Sequence, residues 1–227
     1  MEFHDDLLGP PTGQPRGEPQ PATGRTGSGS GFKWIPIRSL EARHRPRIRS
    51  HLLALDERDR YLRFGYVAND AQIGRYVDLL DFDLDEVFGV FNRQLELVAM
   101  AHLAYLEPAA SNSPIAEFGV SVARHVRGRG YAGHLFDRAA LHARNRGINT
   151  LLVHALSENT AMLRIARNAG ARIERDGPES QAWVRLAPES LASRVEAMVE
   201  DKAATIDYSL KQQARRLDGF ISSLTKD

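Results

Sequence analysis

The chain has 227 residues, 42% of them hydrophobic and 26% charged, which is enough for one domain of about 150 residues with appendages. The 30 Lys and Arg residues nearly balance the 29 Asp and Glu residues, and a formal charge of +1 excludes a global field that would draw the chain onto nucleic acid or a membrane. Because cysteine is absent, disulfides, thiolate zinc sites and acyl transfer through a cysteinyl intermediate are excluded.

Residues 1–31 differ in composition from the rest of the chain, with seven of its 18 glycines and five of its 11 prolines. Few large apolar side chains accompany them, so we predict a disordered tail. The N-terminus lacks the basic-then-apolar pattern of a signal peptide, and the longest apolar stretch, residues 97–106, is too short to span a bilayer. We therefore expect a cytoplasmic protein.

The first structured region is predicted between Trp34 and Leu80. Residues 34–40 (WIPIRSL) are typical of a short strand. Residues 40–55 form a basic, helix-like stretch that Pro46 is expected to interrupt. After the segment LDERDRYLRFG, a further helix is expected around residues 70–80.

The next region alternates strands and helices. Residues 86–92 and 95–107 are rich in Val, Leu and aromatic residues and only two residues separate them, which predicts a β-hairpin. A third strand is predicted over residues 115–122. Helical spacing over residues 131–146 then leads to an apolar strand over residues 150–156.

A helix from Asn159 to Asn168 and two short strands, ARIER and QAWVRL, complete the predicted core. Antiparallel strands that lead into a β-α-β-α unit predict an α+β, or mixed α/β, architecture. We expect a mostly antiparallel sheet of six or seven strands, flanked by helices.

Residues 188–227 are predicted to form one amphipathic helix of roughly 35 residues. Residues recur at sevens in two rows, which consist of Val199, Ile206 and Phe220, with the polar Gln213 between the last two, and of Ala203, Leu210, Leu217 and Leu224. Two interpretations remain open: the helix packs along its own domain, or it pairs with a second copy of the chain.

Gly128, Gly130 and Gly133 form the pattern G-x-G-x-x-G, which also occurs in dinucleotide-binding folds. Five residues separate this pattern from the preceding strand, and antiparallel strands come before it, which disfavours that interpretation. Residues 124–146 contain six arginines and one acid, a local charge of +5. Glycines, arginines and a helix N-terminus favour a pyrophosphate site, although a glycine-rich turn with solvated arginines is the alternative.

The segment RGRGYA, residues 127–132, resembles the R/Q-x-x-G-x-G/A motif of the GNAT superfamily of N-acetyltransferases. Asn159 and the helix that ends before Gly170 resemble a second feature of that family. The likeness covers residues 33–187, and LDERDRYLRFG is similar to a stretch in GNAT domains related to bacterial protein-lysine acetyltransferases. The resemblance implies a GNAT-like sheet and a domain over residues 33–187.

The resemblance also implies an acetyl-CoA site and no metal. Backbone amides of the phosphate loop would hold the pyrophosphate; this loop consists of Arg127, Gly128, Arg129, Gly130, Tyr131, Ala132 and Gly133. The backbone of Val120, Ser121 and Val122 would pair with pantetheine, and Asn159 would contact its arm. The surplus arginines would suit the 3′-phosphate of CoA.

Acetyl transfer needs a base, because a free alkylamine has a pKa of about 10.4. Glu117 is our preferred base, since family members often place a glutamate early on this strand; a solvent-facing or arginine-paired role is the alternative. His102 and His154 lie on strands that should approach the site, but a packed role is more common for such histidines. Glu158 either orients an amine or caps the following helix.

Many family members protonate the leaving thiolate with a tyrosine at a position that matches Ala166 here. Because cysteine is absent, the sequence predicts direct transfer from acetyl-CoA to a primary amine, on a protein lysine or a small molecule. The alternative is a non-catalytic acyl-CoA-binding module whose C-terminal helix mediates dimerisation or partner binding. Residues 61–80 and 108–114 are expected to determine the acceptor.

Overall fold

A computed structural model describes residues 35–106, 114–188 and 191–224, apart from the side chains of 191–194, 196, 214 and 216–224. The predicted tail lies outside the described residues. The strands are β1 (Ile37–Leu40), β2 (Glu86–Phe91), β3 (Leu97–Leu106), β4 (Ile115–Val122), β5 (Thr150–Leu156), β6 (Arg172–Asp176) and β7 (Glu179–Arg185). The helices are α1 (Arg45–Leu53), α2 (Glu57–Phe64), α3 (Asp70–Asp78), α4 (Tyr131–Asn145), α5 (Thr160–Asn168) and α6 (Leu191–Leu224).

The seven strands form one sheet in the order β1-β2-β3-β4-β5-β7-β6. Every pair of neighbours is antiparallel except β4 and β5, which are parallel. This confirms the predicted α+β architecture. It also excludes the dinucleotide-binding interpretation of the glycine pattern, because that fold requires a sheet of parallel β-α-β repeats.

Pro46 begins a helix rather than interrupting one, which corrects the expectation for residues 40–55. A short 3-10 turn, Ala42–His44, leads directly into α1, and Pro46 occupies the first turn of α1. The proline is tolerated there because the first turn of a helix has no intrahelical acceptor for that backbone N–H.

The segment LDERDRYLRFG folds as α2, whose ends are fixed by local signals. The Asp56 side chain accepts a hydrogen bond from the Asp59 N–H at the N-terminus, and Gly65 ends the helix at a φ of +81°. Asn69 caps α3 in the same way through the Gln72 N–H.

The two faces of the sheet carry different helices. On one face, α4 and α5 pack against a core that includes Phe118 and Phe136, whose rings meet edge-on at 5.1 Å. On the other face, α1 and α3 bury Ile48 and Ile73 against the sheet. Side chains alternate between the two faces along β4, so Glu117, Gly119 and Ser121 lie on the α1–α3 face.

α6 packs on its own domain, but through a different face from the one its apolar rows predict. Ala197, Ala204 and Tyr208 are buried against the domain. Two small alanines permit close approach, and Arg138 of α4 donates hydrogen bonds to Glu200 and Asp201 of α6. A packed face built on alanine and charge gives a weak hydrophobic signal in a sequence.

Most members of the predicted rows of α6 lie outward where the structure describes their side chains, whereas Ala203 is half-buried. Val199, Ile206 and Leu210 are each about 60% exposed. The predictions for Leu217, Phe220 and Leu224 concern side chains outside the described ones. Within the described residues, no helix has both the length and the apolar character needed to cross a membrane.

Candidate active site

A cleft opens where the two parallel strands of the sheet separate. β4 and β5 are paired only from Ile115 and Thr150 to Glu117 and Leu152, whereas each strand continues to pair with its other neighbour. The backbone edges of residues 118–122 and 153–156 therefore face each other across an opening. The cleft has a volume of about 470 Å³, and residues of α2, β4, β5, α5 and β7 line it together with Arg127 and Ala132.

The phosphate loop predicted from the sequence lies at the end of β4, next to this cleft. Gly128 and Gly130 have φ angles of +76° and +83°, a conformation that glycine adopts at little cost. Gly130 is the N-cap of α4, and the first intrahelical bond runs from the His134 N–H to its carbonyl. The amides of the first turn of α4 thus have no intrahelical acceptor, as an anion site requires.

Ion pairs connect this loop to α2. Arg127 lies 2.5 Å from Asp59, and Arg124 lies 3.3 Å from Asp56. Arg127 also donates a hydrogen bond to the Val122 carbonyl. These contacts hold the loop against the helix that forms the opposite wall of the cleft.

The predicted local charge of +5 is largely neutralised in the fold. Beyond Arg124 and Arg127, Arg138 is paired with two carboxylates of α6, and Arg146 lies 3.1 Å from Glu86. Four of the six arginines thus meet acids that are distant in sequence, which a local count of charge cannot detect. The positive field at the loop comes mainly from backbone amides and from Arg129, which is exposed.

The structure brings most of the predicted site residues together. Residues that line the cleft are Glu117, Val120, Ser121, Val122, Arg127, Ala132 and Asn159. The others adjoin it in the loop and the first turn of α4; they are Gly128, Arg129, Gly130, Tyr131 and Gly133. The open edge of β4 and these amides fit an extended thioester that ends in a diphosphate.

Ser121 contributes more than backbone to the cleft wall. Its hydroxyl lies 2.8 Å from Nε2 of His51, and Nδ1 of His51 lies 3.0 Å from the Leu97 carbonyl. Because a carbonyl only accepts, Nδ1 carries the proton and the Ser121 hydroxyl donates to Nε2. Burial lowers the pKa of His51 to about 4, so the imidazole is neutral and a weak base at pH 7. The hydrogen bond between His51 and Ser121 therefore holds β4 in place against α1.

α5 lines the cleft with apolar side chains only. Ala161, Met162 and Ile165 face the opening, whereas Ala166 is fully buried in the core. Asn159 caps α5 by accepting a hydrogen bond from the Met162 N–H. The α5 side chains that line the cleft therefore carry no group that could protonate a thiolate.

The structure also places the other acidic and basic candidates. Asn159 and not Glu158 caps α5, and the Glu158 side chain forms an ion pair with Arg58 at 2.9 Å. His102 has the packed, hydrogen-bonded role that is more common for such histidines, and its Nε2 donates to Asp85 at 3.0 Å. His154 does line the cleft and is exposed.

Sequence reasoning missed Arg63 and Asp59, two residues of α2 that line the cleft. The segment LDERDRYLRFG had been noted as similar to other GNAT domains, and this likeness could have drawn attention to both residues. Neither one stands near the glycine pattern in sequence, so only the fold brings them to the site.

The fold and this cleft define the class of acyl-CoA-dependent N-acetyltransferases. A sequence model described as an acetyltransferase (GNAT) domain matches residues 35–172. This match covers more than half of the chain, and the protein therefore belongs to the GNAT acetyltransferase family. Among curated proteins, none matches the chain.

Solved structures show the same fold at low sequence identity. The GNAT domain of PAT from S. lividans is 22% identical, with a TM-score of 0.55 over 66% of this chain and 89% of that one. Ribosomal-protein-alanine N-acetyltransferase from Brucella melitensis is 17% identical, with a TM-score of 0.51 over 65% and 96%. RimL, a ribosomal alpha-N-protein acetyltransferase solved with coenzyme A, is 16% identical, with a TM-score of 0.50 over 67% and 94%.

Proposed function

We propose that the protein transfers an acetyl group from acetyl-CoA to a primary amine by direct attack within a ternary complex. The observation that supports this most strongly is the cleft itself. An open strand edge runs from Glu117 to the glycine loop, so one end can hold a diphosphate while the other faces an acceptor.

At the loop end, the amides of residues 128–133 would bind the pyrophosphate, and Arg129 would add charge. Along β4, the free backbone edge of residues 120–122 would pair with the pantetheine amides, as an added strand does. The backbone N–H near Val122 would polarise the thioester carbonyl. Acetyl-CoA supplies an activated acyl group, and the protein positions it.

At the other end, Glu117 would accept the proton of the attacking amine, directly or through one water. The amine nitrogen forms a bond to the carbonyl carbon, the carbon–sulfur bond breaks, and the electron pair leaves with the CoA thiolate. A proton from solvent then converts the thiolate into free thiol. Without cysteine in the chain, and with Ser121 donating to a weakly basic histidine, direct attack is the simplest route.

The test is release of CoA thiol when the protein is incubated with acetyl-CoA and a panel of amines and lysine peptides. We expect thiol in equal amount to acetylated amine. Tight acetyl-CoA binding without thiol release above hydrolysis would instead support a non-catalytic acyl-CoA-binding module. The lack of a titratable group on the cleft side of α5 is the observation that favours this second candidate.

We also propose that the exposed row of α6 pairs with a second copy of the chain. A copy offers the same row, and the pairing is then self-complementary.

Substitutions of Ile206 and Leu210 by Asp test this pairing, because both side chains are exposed and leave the packed face of α6 intact. We expect light scattering to show a dimer for the unmodified protein and a monomer for the variant. A monomeric unmodified protein at micromolar concentration would contradict the pairing.

A further inference from the structure

Arg63 of α2 lies against the sheet at a point where β4 has no side chain. A Cβ added to Gly119 would lie 2.9 Å from Cζ and both terminal nitrogens of the Arg63 guanidinium. The guanidinium therefore covers the Cα of Gly119 and takes the place of a side chain. Both residues line the cleft, on the same face of β4 as Glu117.

A chain of hydrogen bonds fixes the guanidinium in this position. Arg63 donates to the Tyr76 hydroxyl at 2.9 Å, and that hydroxyl lies 2.9 Å from Nδ1 of His102. Burial lowers the pKa of His102, so the ring is neutral at pH 7. Since Nε2 of the ring donates to Asp85, Nδ1 accepts and the Tyr76 hydroxyl donates to it. Each link from Arg63 to Asp85 thus pairs one donor with one acceptor.

These hydrogen bonds leave the positive charge of Arg63 without a carboxylate partner among the described residues. Its neighbours on α2 have carboxylate partners, as Arg58 does with Glu158 and Arg60 with Asp70. Within the part of the chain that the structure describes, no carboxylate lies within 4.0 Å of Arg63, and its buried Nε has no hydrogen-bond partner. Nε has no accessible surface, so a ligand in the cleft could meet only the terminal nitrogens, where a partly buried positive charge without a carboxylate partner is costly unless an anionic group pairs with it.

The charged groups next to β4 indicate which kind of ligand would pair with Arg63. Glu117 and Gly119 are two residues apart on one face, a separation of about 6.6 Å along a strand. A carboxylate and a guanidinium at this spacing match a molecule that carries an ammonium group and a carboxylate a few bonds apart. The ammonium group would face Glu117, and the carboxylate would face Arg63.

We infer that Arg63 binds a carboxylate of the acceptor, so that the preferred acceptors are amino acids rather than simple amines. This inference rests on the proposed acetyl transfer and narrows its acceptor class. Tyr76, His102 and Asp85 act as positioning residues, because they orient Arg63 and do not reach the cleft themselves.

Matched pairs of acceptors test the inference. L-alanine is compared with ethylamine, and L-lysine with cadaverine, because each pair differs only in the carboxylate. We expect kcat/KM from thiol release to favour the carboxylated member by about tenfold to a hundredfold, the range of a hydrogen bond to a charged group. This preference should disappear in Arg63→Gln and persist in Arg75→Gln, a control on the exposed side of α3.

Gly119→Ala provides a second variant in which Arg63 remains but its guanidinium has to move. It should lose the same preference, whether or not Arg63→Gln folds. Equal kcat/KM for both members of each pair in the unmodified protein would overturn the inference. So would an Arg63→Gln variant that lowers both members equally.

Two further measurements separate the remaining outcomes. If succinyl-CoA binds at least about tenfold tighter than acetyl-CoA, and only when Arg63 is present, the carboxylate belongs to the acyl group and the acceptor assignment is wrong. If no amine releases thiol, the proposed transfer fails. Calorimetric titration of the same pairs into CoA-saturated protein then decides the inference: tighter binding of the carboxylated member supports it, and equal binding overturns it.

Discussion

The two ends of the cleft present different kinds of groups. At the loop end, Gly128 and Gly130 expose backbone amides at the start of α4, and the surrounding residues are open to solvent. At the proposed acceptor end, Glu117 and Arg63 present charged side chains, and half-buried hydrogen bonds through Tyr76 and His102 hold Arg63 in place. Backbone recognition suits a group that all acyl-CoA molecules share, whereas side-chain recognition can select among acceptors.

This difference predicts that changes at one end leave the function of the other end intact. Changes at the loop should alter binding of the donor, and changes at Glu117 or Arg63 should alter turnover or acceptor choice. The ion pairs from α2 to Arg124 and Arg127 are the contacts that join the two ends.

The largest effect is expected for Glu117→Gln, which removes the proposed base. General-base catalysis contributes about 10²- to 10⁴-fold, so kcat should fall by that factor. Affinity for acetyl-CoA, measured by calorimetry, should stay unchanged. Glu57→Gln, an exposed change on α2, is the control. A kcat within about twofold of the unmodified protein would show that Glu117 is not the base.

Gly130→Asp should weaken CoA binding by roughly a hundredfold, because it combines backbone strain of about 1–2 kcal/mol with a negative charge at the phosphates. Gly147→Asp imposes the same strain at a φ of +75° at the other end of α4. Calorimetry should therefore show near-normal affinity for this control. Equal affinity of both variants for CoA would contradict a phosphate-binding site in the loop.

Acidification should destabilise the fold through His51. His51 has a pKa of about 4 in the fold and an ordinary value of 6.5 when unfolded, because burial disfavours its charge. The unfolded chain binds the extra proton between these values, so stability is lost as the pH falls. From pH 7 to pH 5 this loss is roughly 2 kcal/mol.

Denaturant unfolding at pH 7 and pH 5 measures this loss. A His51→Gln variant should show a smaller decrease in stability than the unmodified protein. His125→Gln, which removes an exposed histidine next to the loop, should behave like the unmodified protein. An identical decrease in all three proteins would exclude His51 as the source.

The smallest effect is expected for Asp59→Asn, which breaks one contact between the two ends. Arg127 is then free to approach a phosphate, and CoA affinity should rise by about twofold to fivefold, as expected for a partly exposed ion pair. Calorimetry measures this rise. A tenfold loss of affinity would instead show that Asp59 holds Arg127 in its binding position.

The sequence predicted the fold well, because local signals determine most of its elements. Asn159, Gly147 and the hairpin around Arg93 and Gln94 all fall where the structure places a cap or turn. The position of the donor loop was predictable for the same reason, since glycines close together in sequence form it.

At the other end of the cleft only Glu117 could be predicted, because Arg63 and the residues that support it meet the site only in three dimensions. Arg63 reaches Gly119 across a helix–sheet interface, and Asp85 supports it through His102 and Tyr76. The packed face of α6 was missed for a related reason. Alanines and the buried Arg138 carry that contact, while larger apolar residues remain exposed.

Incubation with labelled acetyl-CoA tests the central claim most directly, first without and then with an amine acceptor. The account predicts that no label stays on the protein when acceptor is absent, and that thiol and acetylated amine form in equal amounts when it is present. Label bound covalently to the protein, or thiol without acetylated amine, would contradict direct transfer in the β4–β5 cleft.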